Sequence, residues 1–237
     1  MPDRISLGTL IEATFVERPN RYLGIVDLTD GTRIRAHVPD PGRLTELLVP
    51  GARVFVRHAD TDGKARKTAY DLLLVDYQHT GILVSILTTL PNRLMRDALE
   101  QRLMPEFADF TIVQPEFRHG NSRFDFRLST RDAFAYVEVK SVSLLRDGVG
   151  MFPDAPTTRG RKHVDELAAL RAEGHRAAVV FVAQRGDTPC VRPEANTDPA
   201  FADALRNAAS AGVELYAWNC DVSTAGVRLA ERIPVET

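Results

Sequence analysis

The hydrophobic pattern of this chain changes near Pro91, and this change constrains the fold more than any other feature of the sequence. Before it, short apolar or alternating runs are separated by turn residues, as in small β-sheet domains. After it, helical and strand-like runs alternate, which is typical of a sheet covered by helices. Because 237 residues are comfortable for two domains, we predict one domain over residues 1–90 and another over residues 91–237.

The first half of the chain contains six candidate strands. They are Leu10 to Glu17, Tyr22 to Leu28, Thr32 to Val38, Arg53 to His58, Leu72 to Tyr77 and Ile82 to Leu87. Turn sequences such as Asp30-Gly31 and Asp60-Thr-Asp-Gly bound them, and the Asp-Gly pair is a strong hairpin signal. Five or six short strands at this spacing suit a small OB-like β-barrel better than a sandwich. Barrels of this kind often bind single strands of nucleic acid on one face, although the fold alone does not establish it.

The second half alternates helices and strands. Candidate helices are Pro91 to about Met104, about Arg159 to Glu173, and about Pro199 to Ser210. Candidate strands are Phe110 to Phe117, Arg123 to Leu128, Phe134 to Ser141, Ala177 to Ala183 and a last one at Val213 to Trp218, and the segment from Leu144 to Thr158 has the Gly, Pro and Asp content of a loop. This order predicts a three-layer α/β core with a mixed sheet.

Asp125, Glu138 and Lys140 carry the chemistry that stands out in this half. Asp125 lies on the second candidate strand and the other two on the third, with a segment between them short enough for a hairpin. The period of two places Glu138 and Lys140 on one face of their strand. Two carboxylates beside an ammonium suit a Mg²⁺ or Mn²⁺ ion and an attacking water, so the three are candidate catalytic residues of a metal-dependent phosphodiesterase. The alternative is an exposed strand with an ordinary ion pair.

Lysine is rare in this chain, which makes Lys140 less incidental. Only four of the thirty basic residues are lysines, the others being Lys64, Lys67 and Lys162. Lysine is a compact charge whose pKa moves on burial, whereas arginine is a planar fork that keeps its proton.

Composition indicates an ordinary globular protein whose nucleic-acid contacts, if any, are local. The apolar fraction is 44%, and the net charge is −2, which argues against a surface that is positive throughout. From Glu116 to His163, however, nine Lys and Arg residues face six Asp and Glu, and a phosphate backbone would lie against such a patch. A solvated charged surface explains the same count. Without an apolar leader or membrane-length run we expect a cytoplasmic protein, and we expect Cys190 and Cys220 to be reduced, buried thiols.

An acid on one strand followed by Glu-x-Lys on the next resembles the PD-(D/E)xK nuclease superfamily. Over most of its length the chain also resembles the sugar fermentation stimulation protein A (SfsA) family. The stretches that carry the resemblance include Glu17-Arg-Pro-Asn-Arg-Tyr, Ala36-His-Val-Pro-Asp-Pro-Gly-Arg-Leu, Arg66-Lys-Thr-Ala-Tyr, Pro91-Asn-Arg-Leu, Glu116-Phe-Arg-His-Gly-Asn-Ser-Arg-Phe-Asp-Phe, Val137-Glu-Val-Lys-Ser-Val, Phe152-Pro-Asp-Ala and Thr158-Arg-Gly-Arg-Lys-His. Two positions depart from it, because Pro41 stands where the family usually has threonine and Arg161 where it usually has glutamine.

The resemblance implies an N-terminal OB-like domain, a nuclease-like C-terminal domain, and DNA binding that is independent of sequence. It also implies a regulatory link to sugar metabolism, especially that of maltose. The main hypothesis is therefore a non-specific DNA-binding protein with a metal-dependent nuclease site. The alternative is an active Mg²⁺-dependent endonuclease or exonuclease acting on DNA or on RNA.

Further candidate residues surround the two acids. Glu116 ends the strand before that of Asp125 and is a candidate third metal ligand, or else an ion-pair partner of Arg118 or Arg123. Arg123 is either a phosphate clamp or a structural partner of the acids. The candidate nucleic-acid contacts are Arg18, Asn20, Arg21, Arg43, Arg66 and Lys67 in the first domain and Arg123, Arg159 and Lys162 in the second.

Overall fold

The computed structural model describes residues 3–59, 66–120 and 122–237. The predicted Asp60-Thr-Asp-Gly turn, Lys64 and Asn121 lie outside the described residues.

The N-terminal half forms the small barrel that the sequence predicts. Its strands are β1 (Ile11–Asn20), β2 (Leu23–Leu28), β3 (Arg33–His37), β4 (Arg53–His58), β5 (Tyr70–Asp76) and β6 (Leu83–Ser85). They follow the order β3-β2-β1-β4-β5-β6, and a parallel pairing of β3 with β5 closes the first five into a barrel. Alternate side chains of β1, such as Ala13 and Phe15, point into the barrel core, as the period of two requires.

The C-terminal half is a six-stranded mixed sheet with helices on both faces. Its main elements are α1 (Leu90–Glu100), β7 (Ile112–His119), β8 (Ser122–Ser129), β9 (Phe134–Val142), β10 (Leu145–Arg146), β11 (Val149–Phe152), α2 (Thr158–Ala172), β12 (Arg176–Ala183), β13 (Val191–Pro193), α3 (Pro199–Ser210), β14 (Glu214–Ser223) and β15 (Gly226–Ile233). The sheet order is β15-β14-β12-β9-β8-β7. The strand β12 runs parallel to β9 and β14, and the other pairs are antiparallel. The predicted three-layer α/β core with a mixed sheet is confirmed.

Each face of this sheet is buried by a different layer. On one face, Val164, Leu167 and Leu170 of α2 pack together with α3 against the sheet. On the other face, residues of α1 share a single core with residues of the barrel strands β4 and β5, including Phe55 and Leu74. The barrel therefore serves as part of the second covering layer, and the two halves of the chain are packed together.

The sequence prediction was wrong at two places in the second half. The segment predicted as a loop from Leu144 to Thr158 contains the hairpin β10–β11, which joins β13 in a separate three-stranded sheet. The chain also does not end its strands at Trp218, because β14 continues to Ser223 and turns at Gly226 into β15.

Cys190 and Cys220 are both buried and both free, as expected. Among the described residues, no helix has the length and the apolar character needed to span a membrane.

Candidate functional site

Asp125, Glu138 and Lys140 meet where β8 and β9 stop pairing. The ladder between the two strands runs from Ser129–Phe134 to Phe126–Val137 and then ends. Beyond that point the backbone N–H of Val139 donates to Asp125 Oδ2 instead, at 2.7 Å. The side chain of Asp125 thus takes the place of a backbone acceptor. This hydrogen bond holds the Asp125 carboxylate beside the strand that carries Glu138 and Lys140.

The helix α1 supplies a second contact to Asp125. Asn92, in its first turn, donates from Nδ2 to Asp125 Oδ1 at 2.6 Å. Burial and the neighbouring charge of Glu138 nevertheless raise the pKa of Asp125 to about 6. The ionised form of Asp125 is therefore less stable in the folded protein than it would be in water.

Glu138 is a buried carboxylate with two donors on one oxygen. Lys140 Nζ and His163 Nδ1 each lie 2.6 Å from Glu138 Oε1. Because an ionised carboxylate can only accept, Nδ1 of His163 carries the hydrogen. Burial alone would raise the pKa of Glu138, but the hydrogen bond from His163 and the charge of Lys140 outweigh it and hold the pKa below its ordinary value.

The other oxygen of Glu138, Oε2, is buried and has no hydrogen-bond partner among the described residues. An orphaned carboxylate oxygen beside a second carboxylate offers the hard oxygen donors that Mg²⁺ and Mn²⁺ take. A divalent cation there would also lower the pKa of Asp125 by stabilising its charged form. These two residues therefore fit the predicted metal.

Glu116 is not brought into this pair. It has a positive φ of 51°, and its side chain is 67% exposed and lies 3.5 Å from Arg123. Within the described ranges, no group of three or more His, Cys, Asp and Glu side chains is close enough to hold a metal. The structure thus gives Glu116 the ion-pair geometry that was the alternative interpretation, while its role at a metal stays a prediction.

Asn92 and His163 hold the two acids, and the sequence did not identify either as part of the site. Asn92 reaches its acid across 33 positions and His163 across 25 positions of sequence, from helices on opposite faces of the sheet. Spacing along one strand cannot reveal such contacts. The available signals were the two SfsA-like stretches that contain them, Pro91-Asn-Arg-Leu at the start of α1 and Thr158-Arg-Gly-Arg-Lys-His at the start of α2.

A basic cleft of about 690 Å³ adjoins this site through His163. Its cationic lining consists of Arg118, Arg123, Arg159 and Lys162. Arg159 and Lys162 lie in the first turns of α2, where free backbone N–H groups and the helix dipole favour anions. Three of the predicted nucleic-acid contacts, Arg123, Arg159 and Lys162, are therefore gathered on one surface.

The candidates on the barrel have more varied positions. Arg18 donates hydrogen bonds to four backbone carbonyls, those of Arg21, Asp40, Gly42 and Arg43, and so supports the loop between β3 and β4. The backbone N–H of Arg43 in that loop donates to Asp154 Oδ2 at 2.9 Å, which ties the barrel to the loop that precedes α2. Arg21 and Arg43 expose their side chains at this junction.

Asn20, Arg66 and Lys67 border a separate cleft on the barrel. Arg66 forms an ion pair with Asp71, and Lys67 is exposed. The structure thus divides the nine predicted contacts between the cleft at α2, the junction of the domains and this barrel cleft.

Comparison with known proteins finds relatives that match both halves of the chain. The family model described as the SfsA N-terminal OB domain matches residues 16–86, and the one described as the sugar fermentation stimulation protein RE domain matches residues 89–226. A sugar fermentation stimulation protein homolog from Moorella thermoacetica is 45% identical over 97% of each chain. Another from Acetivibrio thermocellus is 46% identical over 96% of this chain and 97% of the relative.

A solved structure has the same fold. The structure of Pyrococcus furiosus SfsA in complex with Ca²⁺ superposes with a TM-score of 0.88 and 29% identity, covering 100% of both chains. The agreement extends over both the barrel and the helix-covered sheet described above. From its two family matches and its relatives, this chain belongs to the sugar fermentation stimulation protein family.

Proposed function

We propose that this chain binds DNA without regard to sequence and hydrolyses phosphodiester bonds at a metal-dependent site formed by Asp125, Glu138 and Lys140. The observation that carries the proposal is the buried Glu138 Oε2, which lacks a partner among the described residues and lies beside a second acid. The Ca²⁺ complex of the Pyrococcus furiosus relative supports carrying divalent-cation binding over to this chain.

Each residue of this site would have a separate role in hydrolysis. Asp125 and Glu138 would hold Mg²⁺ or Mn²⁺, and a bound cation supplies Lewis-acid polarisation of the phosphate and a lowered pKa for an attacking water. Lys140 Nζ, with its side chain 11% exposed, presents a nearly desolvated ammonium. There it orients the water or offsets charge that develops on the phosphate. Asn92 and His163 keep the two acids in position.

The basic cleft supports nucleic acid as the substrate. Its cations are arginine and lysine side chains, which can neutralise phosphates whatever the bases are, and this supports binding that is independent of sequence. The OB domain, which the family match gives, supports the same partner class. RNA is the second polymer that fits, because phosphate contacts do not distinguish the two sugars. A regulatory role in sugar metabolism, including that of maltose, completes the proposal and rests on family membership alone.

The test is a cleavage assay on end-labelled single-stranded DNA, duplex DNA and RNA, with Mg²⁺, with Mn²⁺ and with a chelator. We expect cleavage with metal only. Lys140→Ala and Asp125→Ala should each lower the rate by about 100-fold or more, since each removes transition-state stabilisation or metal binding. Arg206→Ala, on the exposed face of α3, is the matched control and should cleave as the wild type does.

Two results would contradict the proposal in different ways. Cleavage that survives both Lys140→Ala and Asp125→Ala would remove the site assignment. Wild-type protein that retains DNA in a salt-dependent manner but cleaves none of the substrates would leave binding in place and end the proposal of hydrolysis.

A further inference from the structure

The turn between β1 and β2 carries an exposed aromatic ring that the hydrolytic site does not use. Asn20 pairs with Leu23 across this hairpin, so Arg21 and Tyr22 form its two-residue turn. Tyr22 is 56% exposed, the most exposed aromatic side chain in the described part of the chain. More than half of this residue is left in water at a hairpin tip. It is therefore available to a partner.

Tyr22 is exposed and yet held firmly. Its backbone N–H donates to Asn20 Oδ1 at 3.0 Å, and its carbonyl accepts from the backbone N–H of Val38 at 3.0 Å. His37 Nδ1 lies 3.2 Å from the same carbonyl, and the Tyr22 and His37 rings are nearly parallel, at 14°, with centroids 6.4 Å apart. The backbone that carries the Tyr22 ring is thus held in place before any ligand arrives, and less of its freedom is lost on binding.

Cationic side chains border these rings. The cleft that contains Tyr22 and His37 has a volume of about 430 Å³, and Arg35 and Lys67 contribute exposed cationic side chains to it. The part of its lining that the structure describes contains no carboxylate. A ring that accepts a base, flanked by cations that accept phosphates, is the arrangement with which proteins hold unpaired nucleic-acid strands.

Two further depressions are lined by sequence neighbours of the residues that line this cleft or each other. Arg21, next to Tyr22, lines a cavity of about 320 Å³ between the two domains, and Thr157 lies on the same cavity. Thr158, the next residue, lines the basic cleft, which reaches the acids through His163. Neighbouring residues thus line the cleft at Tyr22, the cavity between the domains and the basic cleft beside Glu138.

We infer that Tyr22 and His37, with Arg35 and Lys67, form a stacking site for an unpaired base, so that the strand delivered to the proposed site is single-stranded where it crosses the barrel. This inference rests on the proposed function for its polymer. A paired base inside a duplex is already stacked on its neighbours and presents no free face to a tyrosine. The shared chemistry is an unpaired base with its phosphates, in DNA or in RNA.

Binding of short labelled oligonucleotides in the presence of a chelator tests the inference. The probes are oligo-dT, oligo-U, an abasic deoxyribose-phosphate strand of the same length, and a duplex. Tyr22→Ala should weaken binding of oligo-dT or oligo-U by about 5- to 150-fold, while it changes binding of the abasic strand and the duplex by less than about twofold. Weaker binding of oligo-dT alone would identify DNA as the ligand. Weaker binding of both oligo-dT and oligo-U would show that the site accepts either polymer.

Tyr22→Phe is the matched variant, because it keeps the ring and removes only the hydroxyl. It should bind oligo-dT within about threefold of the wild type, since stacking uses the ring face. Equal weakening of all four probes by Tyr22→Ala would overturn the inference, because it would indicate a disturbed barrel. Equal affinity of wild type and Tyr22→Ala for oligo-dT would overturn it as well.

Photo-crosslinking gives a second measurement that does not depend on a variant. Oligonucleotides that carry 5-iodouracil should crosslink to Tyr22, as identified by mass spectrometry of the digested protein, and crosslinks confined to the C-terminal domain would overturn the inference. Its failure is distinguishable from failure of the proposed function. If the wild-type protein binds none of the probes, both the proposed function and the stacking site are contradicted. If it binds the abasic strand and oligo-dT equally, only the stacking site is contradicted.

Discussion

The two carboxylate oxygens of Glu138 have different surroundings. Oε1 accepts from an ammonium and an imidazole, while Oε2 is left without a donor among the described residues. The two donors compensate the burial of the charge, so that the acid stays ionised and its second oxygen stays available to a cation. The role of His163 is therefore to position Glu138 and keep it ionised.

Removal of the imidazole should weaken metal binding without unfolding the protein. We expect His163→Ala to lower Mn²⁺ affinity, measured by calorimetric titration, by about 10- to 100-fold, the usual effect of losing a residue that orients a ligand. His163→Asn, which retains a donor near the position of Nδ1, should recover part of the loss. His175→Ala, one residue before β12, is the control and should bind Mn²⁺ as the wild type does. Unchanged affinity in His163→Ala would show that Glu138 is positioned without it.

The raised pKa of Asp40 should make the stability of the protein depend on pH. Burial and the nearby Asp154 raise the pKa of Asp40 to about 6, although Gly42 N–H donates to its Oδ1 at 2.8 Å. The charged form is thus disfavoured in the folded state, so Asp40 lowers the free energy of unfolding above about pH 6, and this penalty disappears as the pH falls toward its ordinary pKa of about 4.

Asp40→Asn keeps the acceptor oxygen and removes the charge. In urea unfolding near pH 7.5 it should be more stable than the wild type by roughly 1–3 kcal/mol, and the two proteins should converge below about pH 4. A difference that is the same at both pH values would contradict the assigned cause.

At the scale of elements, α2 has two functions. Its first turns carry Arg159, Lys162 and His163, while its later residues Leu167 and Leu170 pack into the core. Thr157 begins the helix, because its side chain accepts from the N–H of Gly160 at 3.0 Å. The helix therefore holds cations for a phosphate backbone and a positioning residue for Glu138 at one end.

Binding of duplex DNA should depend on this end of α2. In Arg159→Ala/Lys162→Ala, the slope of log affinity against log salt should become shallower by about two, roughly one for each lost phosphate contact. Arg171→Ala, in the last turn of the same helix, is the matched control and should leave the slope unchanged. A double variant that keeps the wild-type slope would place the DNA elsewhere.

The sequence predicted long elements well and short ones poorly, for a physical reason. The helix α3 has strong local periodicity, the strand β12 is a continuous apolar run, and both have clear turn residues near their ends. The strands β10 and β13 have two and three residues, and β13 pairs with β11 about forty positions away, so local pattern could not reveal them. The strand β15 did have a signal, since Val227 and Leu229 alternate with polar residues after a turn glycine.

The candidate site follows the same division. Asp125, Glu138 and Lys140 were predictable because they lie on two adjacent strands of one hairpin, where spacing determines position. Asn92 and His163 were not, since tertiary packing brings α1 and α2 to opposite faces of the sheet. Arg18 looked like a phosphate contact from its charge, but its hydrogen bonds are made to the carbonyls of its own domain.

At the scale of the whole molecule, the barrel and the sheet share one hydrophobic core. Phe55 and Leu74 of the barrel are buried in the same cluster as Leu94 of α1 and Val139 of β9, next to the two acids. Two bodies that complete each other's core are expected to unfold together. The shared core also fixes the barrel cleft relative to the acids.

Leu74→Ala should therefore destabilise the entire chain. We expect a loss of roughly 2–5 kcal/mol in a single urea transition, followed both by far-UV circular dichroism and by fluorescence of Trp218, which lies on β14. Coincident transitions support the shared core. A first transition that leaves the Trp218 signal unchanged would show that the barrel unfolds by itself.

The central claim is that Asp125 and Glu138 form one divalent-cation site, and diffraction from crystals grown with Mn²⁺ tests it most directly. The anomalous difference map should contain a peak bonded to carboxylate oxygens of both residues, and Asp125→Ala crystals should lose it. The absence of a peak at this pair at saturating Mn²⁺, or a peak at Glu138 that persists in Asp125→Ala, would contradict the account.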